Sequence, residues 1–363
     1  MKTKTKLRGV KKALLIILFV ILGIILLIGI ALSVYAYNNL HYDDVDMKKV
    51  WKAGYTEKQV TLSSGTVLNY AEGPDEQGNK TPLLLIHGQA MAWEDYARVL
   101  PELAKTYHVY AVDCHGHGSS AHDPSTYTCR AMTDDLVLFI EDVIGKPCVV
   151  SGHSSGGILA ANIAASSPEN TLAAVLEDPP FFSVLPEEMQ NTFVWKDGFE
   201  VTHNFLNQSE EKYYVPYYFE NGYFWKLFQG LEAFPAATAR EYSQKNNTEC
   251  KKIWYLPYSW IHGLLYTDEY DYEFAETFYD GSWFDGVSQE EILRGIECPC
   301  VYIKAKTDYG EDGVLYAANE EEDAKRVAEL IKNCETVETP TSDHDIHFVY
   351  SETFIDVLVK ACP

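Results

Sequence analysis

Hydrophobic positions along this chain follow three different patterns. From Ala13 to Leu32 they form one unbroken, uncharged run, "ALLIILFVILGIILLIGIAL". From Gln59 onward short apolar runs alternate with helical stretches. Between Phe181 and Phe284 neither rhythm holds, and that segment carries 29 of the chain's 48 Phe, Trp and Tyr residues.

The alternating "QVTLSSGTVLNYA" of 59–71, with Ser-Gly at its centre, predicts a hairpin. The later runs predict strands at Leu83–His87, Val109–Asp113, Cys148–Ser151, Ala173–Glu177, Val301–Lys306 and Thr336–Glu338. Helices are predicted between and after them, at Trp93–Lys105, Arg130–Ile144, Gly156–Ser166, Asn319–Ile331 and His347–Lys360. Strands separated by helices of that length imply an α/β fold with right-handed crossovers and a mostly parallel sheet. The aromatic segment then reads as a helical insertion after the sixth strand. Its rings, among them Tyr217, Tyr218, Phe224, Trp225, Trp254 and Trp260, either fill the core of that insertion or line an apolar pocket over the sheet's C-terminal edge.

The 20-residue run at Ala13–Leu32 spans about 30 Å as a helix, the thickness of a bilayer's hydrocarbon core. Lys2, Lys4, Lys6, Arg8, Lys11 and Lys12 precede it without an acid, which keeps the N-terminus cytoplasmic and puts the remainder outside the cell membrane. A cleavable signal ending in "VYA" at Ala36 is the rival reading, although the hydrophobic part of a signal peptide is typically about 7–15 residues. The expected organisation is a basic tail and transmembrane anchor at 1–36, a linker at 37–58, a core at 59–179 and 299–363, and a cap at 180–298.

Charge narrows the range of partners. Without the six leading cations, 23 basic residues face 53 acidic ones, a balance of −30 that excludes nucleic acid as a natural partner. All eight cysteines follow the anchor, where disulfides are permitted, and Cys114 with Cys129 would close a short loop.

The stretch "VVSGHSSGGILAA" at 149–161 holds the candidate chemistry. Gly152 and Gly156 flank Ser154 where a β-branched run gives way to a helical one, and a nucleophilic serine needs such a sharp, glycine-lined turn to clear the backbone. Ser155 would instead begin the helix.

Together with "LLLIHGQ" at 83–89, "VDCHGHGSS" at 112–120, "IKAKTD" at 303–308 and "SDHDIH" at 342–347, this chain resembles the α/β-hydrolase fold superfamily, in particular its capped esterases, lipases and lactonase-like members. The resemblance implies a serine hydrolase acting through an acyl-enzyme, with Ser154 as nucleophile and no cofactor or metal. It implies an oxyanion hole from the backbone N–H groups of Ser155 and Gln89. The family's D-x-x-G-x-G-x-S loop is met by Asp113, Gly116, Gly118 and Ser120 and reads as a structural turn; His87 likewise reads as structural.

The superfamily's chain order, nucleophile then acid then histidine, implies His344 as base, in a loop between the last strand and the last helix, with His347 as its rival. For the acid, Asp308 shortly after "VYIKAK" is preferred over Asp178 before Pro179-Pro180 and over Asp312. A dizinc reading of His115, His117, His122 and Asp123 fails because Ser119 and Ser120 stand where that pattern needs acid and histidine. The expected activity is cleavage of a small-molecule carboxylic ester. The alternatives are a lactone, thioester or amide substrate, or a tethered binding protein that has kept the fold. Aspartate-nucleophile chemistry is disfavoured by Ser154, and proline-releasing peptidase chemistry by "HGQAM" at 87–91.

Overall fold

Leu83 and Leu85 face one side of their strand, Leu84 and Ile86 the other, and all four are completely buried. That two-sided burial makes the strands read as unbroken apolar runs, because helices cover both faces of a parallel sheet. In the computed structural model, which describes residues 2–362, eight strands form one sheet: β1 (Thr56–Thr61), β2 (Val67–Glu72), β3 (Thr81–Ile86), β4 (Tyr107–Val112), β5 (Cys148–His153), β6 (Thr171–Glu177), β7 (Cys300–Ala305) and β8 (Cys334–Thr339). Their order is β1-β2-β4-β3-β5-β6-β7-β8. The hairpin β1–β2 is antiparallel and joins β4 antiparallel; from β4 to β8 every pairing is parallel.

On one face Leu84, Ile86 and Val150 pack with Met132, Leu136, Ile158 and Leu159 of the helices Cys129–Phe139 and Ser155–Ser166. On the other, Leu83, Leu85, Val109 and Val149 pack with Tyr96, Leu100, Leu103, Phe354 and Leu358. The predicted helix at Trp93–Lys105 is split into a 3₁₀ stretch, Trp93–Arg98, and a single α-turn, Leu100–Leu103. Pro101 lacks the N–H that would continue the ladder, so the helix restarts there.

Between β6 and β7 the described residues form helices and loops and add no strand to the sheet, as the loss of alternation predicts. Thirteen of the 29 aromatics at 181–284 are buried in the core. Phe219, Phe274, Phe278 and Trp283 are almost fully buried, and Phe199 stacks on Phe278 at 5.1 Å. Trp225, one of the rings that would either fill the insertion or line a pocket, is buried and packs edge-on against Phe219.

The chain forms two compact units, residues 1–42 with 252–262, and residues 43–251 with 263–363. The first contains most of the N-terminal helix, which runs unbroken over Lys2–Lys52. Part of the expected linker at 37–58 is therefore helical. The side chains of Lys2, Lys4, Lys6, Arg8 and Lys11, on which the orientation argument rests, lie outside the described ones. Past Lys12 an 18-residue stretch of the helix is apolar enough to cross a membrane, with a mean hydropathy of 3.5 and none of those 18 residues buried. All eight cysteines are free thiols, so the Cys114–Cys129 bridge is not formed; both are buried and reduced.

Candidate active site

Ser154 stands between β5 and the helix Ser155–Ser166 with φ 54° and ψ −123°, a backbone conformation that side-chain-bearing residues rarely adopt. The two flanking glycines make it feasible. A Cβ on Gly152 would lie 2.0 Å from the Gly156 carbonyl oxygen, and one on Gly156 would lie 2.3 Å from that of Ile86 and 2.4 Å from that of His87. Strand and helix thus approach more closely than any other residue type permits. The Ser154 N–H donates to the Glu177 carbonyl at 2.9 Å, fastening the turn to the end of β6.

The loop after β3 comes equally close. A Cβ on Gly88 would lie 3.1 Å from Ser154 Cβ. The next N–H, that of Gln89, has no acceptor among the described residues, and neither has the N–H of Ser155, which opens its helix. Ala90, at φ 59°, donates its N–H to His117 Nε2 at 3.0 Å, while His117 Nδ1 donates to the His115 carbonyl at 2.7 Å. Burial, joined by the neighbouring His87, holds His117 neutral, as that acceptor role requires. The Gln89 side chain donates to the Tyr270 hydroxyl at 2.9 Å, tying this loop to the insertion.

His344 and Asp178 are paired: Nδ1 is 2.7 Å from Oδ2. An ionised carboxylate only accepts, so Nδ1 carries the proton and Nε2 is left as the basic nitrogen. Asp178 is 2% exposed, and its Oδ1 accepts from the Ala305 N–H at 3.0 Å. Burial works against the charged form of His344, but the hydrogen bond and charge of Asp178, with Asp345 and Glu177, outweigh it, and the pKa is raised from its ordinary value. The His344 ring lies 4.5 Å from that of His153, the residue preceding Ser154. Burial first, then His344, pushes the His153 pKa down to about 3.

The preferred acid, Asp308, bonds elsewhere. Its carboxylate is 54% exposed, bound to Lys306 at 2.5 Å and to the Tyr309 N–H at 3.0 Å. Asp312 bonds the Tyr223 hydroxyl. The sheet order explains the difference. β6 is the immediate neighbour of β5, and Asp178 directly follows its last residue, whereas Asp308 lies one strand further off and three residues past Ala305, the end of β7. Proximity to the strand end, not the acid's place late in the chain, is the signal that favours Asp178.

His347 is fully buried and held on both sides, Nδ1 2.9 Å from Glu177 Oε1 and Nε2 3.0 Å from Asp95 Oδ2, and its N–H donates to the same Glu177 oxygen at 2.6 Å. Both carboxylates outweigh burial and keep it protonated, unfit as a base. Glu177 therefore joins the nucleophile turn, through its carbonyl, to the histidine loop, through its carboxylate; no sequence motif points to it. The turn at Asp113 is structural as expected, with Oδ1 accepting from the Trp93 N–H and Oδ2 from Asn69 and the Ser119 N–H. His87 Nε2 accepts from the Cys114 N–H at 2.9 Å. His115 pairs with Asp135 at 2.8 Å.

A family model described as the alpha/beta hydrolase family matches residues 83–357. This chain belongs to that family. Curated relatives include bifunctional epoxide hydrolase 2 of Sus scrofa, 29% identical over 130 residues that make up 35% of this chain and 23% of that protein. An sn-1-specific diacylglycerol lipase of Danio rerio is 34% identical over 107 residues, 29% of this chain and 33% of the relative. The chain spans less than two thirds of the length of either. Among solved structures, a membrane phospholipase A described as a bacterial virulence factor aligns with a TM-score of 0.58 at 19% identity, covering 94% of this chain and 96% of its own. The carboxylesterase CesB of Bacillus subtilis aligns at 0.56 and 13% identity, covering 90% and 97%. At such identities these two show a shared fold. These relatives and solved structures are themselves hydrolases: an epoxide hydrolase, a lipase, a phospholipase and a carboxylesterase.

Proposed function

We propose that this protein is a membrane-tethered serine hydrolase that cleaves carboxylic esters through an acyl-enzyme. Ser154 Oγ attacks the acyl carbon while His344 Nε2 takes its proton; Asp178 holds the Nδ1–H and stabilises the imidazolium that results. The N–H groups of Gln89 and Ser155 receive the oxyanion. His344 then protonates the departing alkoxide, and a water, deprotonated by the same nitrogen, releases the acid and restores Ser154.

The single observation that carries this reading is the Asp178-bonded imidazole whose ring lies 4.5 Å from that of His153, the residue preceding a serine held at φ 54°. A protein that only binds ligand has no need of that strain, whose cost is of order 1–3 kcal/mol. The domain division at 59–179, 180–298 and 299–363 is kept, with the helical segment acting as the cap. The N-terminal helix is the anchor, with the hydrolase domain on the outer side of the cell membrane.

A fluorophosphonate probe tests the chemistry. Labelling of the full-length protein is expected to vanish in Ser154→Ala; labelling that persists there would remove serine catalysis at this site. A series of p-nitrophenyl esters is expected to be turned over faster as the acyl chain lengthens, each buried methylene contributing about 0.8 kcal/mol until the pocket is full.

A further inference from the structure

The segment 252–262, from the middle of the cap, is fastened to the N-terminal helix just past its apolar run. Asn39, 4% exposed, donates its side-chain amide to two carbonyls of that segment, Leu256 at 2.7 Å and Trp254 at 3.1 Å. The Tyr42 hydroxyl is 2.8 Å from His262 Nδ1, and the Tyr42 ring stacks on Tyr258 at 4.4 Å. Lys252 Nζ donates to the Leu40 carbonyl at 3.2 Å.

Helical rise converts these contacts into depth. At about 1.5 Å per residue, Tyr35 and Tyr37 lie about 4–8 Å beyond Leu32 and Asn39 about 10 Å beyond it. The headgroup layer occupies about 5–8 Å outside the hydrocarbon core. The Tyr35 hydroxyl donates to the Tyr255 carbonyl at 3.5 Å, which brings the docked segment alongside that layer; the segment exposes two indoles, Trp254 at 48% and Trp260 at 44%, and the helix exposes Tyr35 and Tyr37 at 40% and 61%. Four large amphipathic rings in one band are costly in water, whereas headgroups solvate both their apolar faces and their polar tips.

We propose that residues 252–262, with Tyr35 and Tyr37, form an aromatic collar that sits in the lipid headgroup layer of the outer leaflet, with Trp254 and Trp260 as its inserted indoles. The inference rests on the N-terminal helix spanning the bilayer. It adds a second, cap-borne contact with lipid, which a bare tether would lack.

Full-length protein in phosphatidylcholine vesicles carrying a lipid brominated near the top of its acyl chains supplies the test, because bromine quenches tryptophan fluorescence over short distances. The remaining tryptophans are poor reporters: Trp93, Trp195, Trp225 and Trp283 are buried, and Trp51 lies about 28 Å along the helix past Leu32. Quenching is expected in the parent protein and should be mostly lost in Trp254→Phe/Trp260→Phe. Asn39→Ala, which keeps both indoles but removes two of the hydrogen bonds that hold the segment to the helix, should also reduce it, while thermal melting shows that each variant is folded. Undiminished quenching in the double variant, with the protein still floating with the vesicles, would overturn the collar and leave the anchor standing. Failure of the parent protein to float would overturn both.

Discussion

His344 and Asp178, 166 positions apart in the chain, meet through a 2.7 Å hydrogen bond that leaves Nε2 of the imidazole free to act as a base. The first prediction follows from which acid makes that bond. Asp178→Asn is expected to lower kcat by about 10⁴-fold, because an amide that donates to Nδ1 fixes the wrong tautomer. Asp308→Asn, altering an exposed carboxylate bound only to its neighbours, should leave kcat unchanged. Steady-state kinetics on one soluble ester decides between them, and the opposite ranking would return the acid to Asp308.

Protonation of His344 sets the acid limb of the pH profile. The base works only when neutral, so kcat/KM should fall as pH drops through its pKa. Because that pKa is raised from 6.5, the limb should lie above pH 6.5. Removing the negative partner in Asp178→Asn should shift the limb of the residual activity downward; a limb that stays in place would break the link between the two residues.

The buried ion triad of Glu177, His347 and Asp95 belongs to stability. His347→Ala would strand two carboxylates in a site with no exposure, at a cost of about 3–5 kcal/mol. The folded-state pKa of His347 is raised, so its contribution is complete below the unfolded value of about 6.5 and is lost as pH rises through the folded one. Melting curves recorded from pH 6 upward should show that slope in the parent protein, and His347→Gln should remove it. A variant that melts like the parent but has lost all turnover would instead make His347 a base.

Gly156→Ala places a methyl group against the backbone oxygens of Ile86 and His87, which cannot move without parting helix from strand. Both melting temperature and activity should fall. Gly198→Ala is the control, its new methyl meeting only Val194 Cγ2 at 4.0 Å, and it should be tolerated. Equal behaviour of the two would mean that the turn relaxes at little cost.

The local pattern by itself determined the long apolar helix, the hairpin, the six parallel strands, the helical insertion and the strand–Ser154–helix turn. Each is written in neighbouring residues, as an apolar run of membrane length, a period of two or a pair of glycines. Tertiary structure alone decided the partners. Two aspartates each follow a strand; sheet order puts β6 beside β5, and so brings Asp178 to His344 while Asp308 turns toward Lys306. The same holds for Trp254 and Trp260, which read as cap rings but lie with the N-terminal helix, because Asn39, more than two hundred positions earlier, binds the carbonyls of their segment. Periodicity records which way a residue faces, whereas a hydrogen bond across the fold depends on where distant segments come to rest.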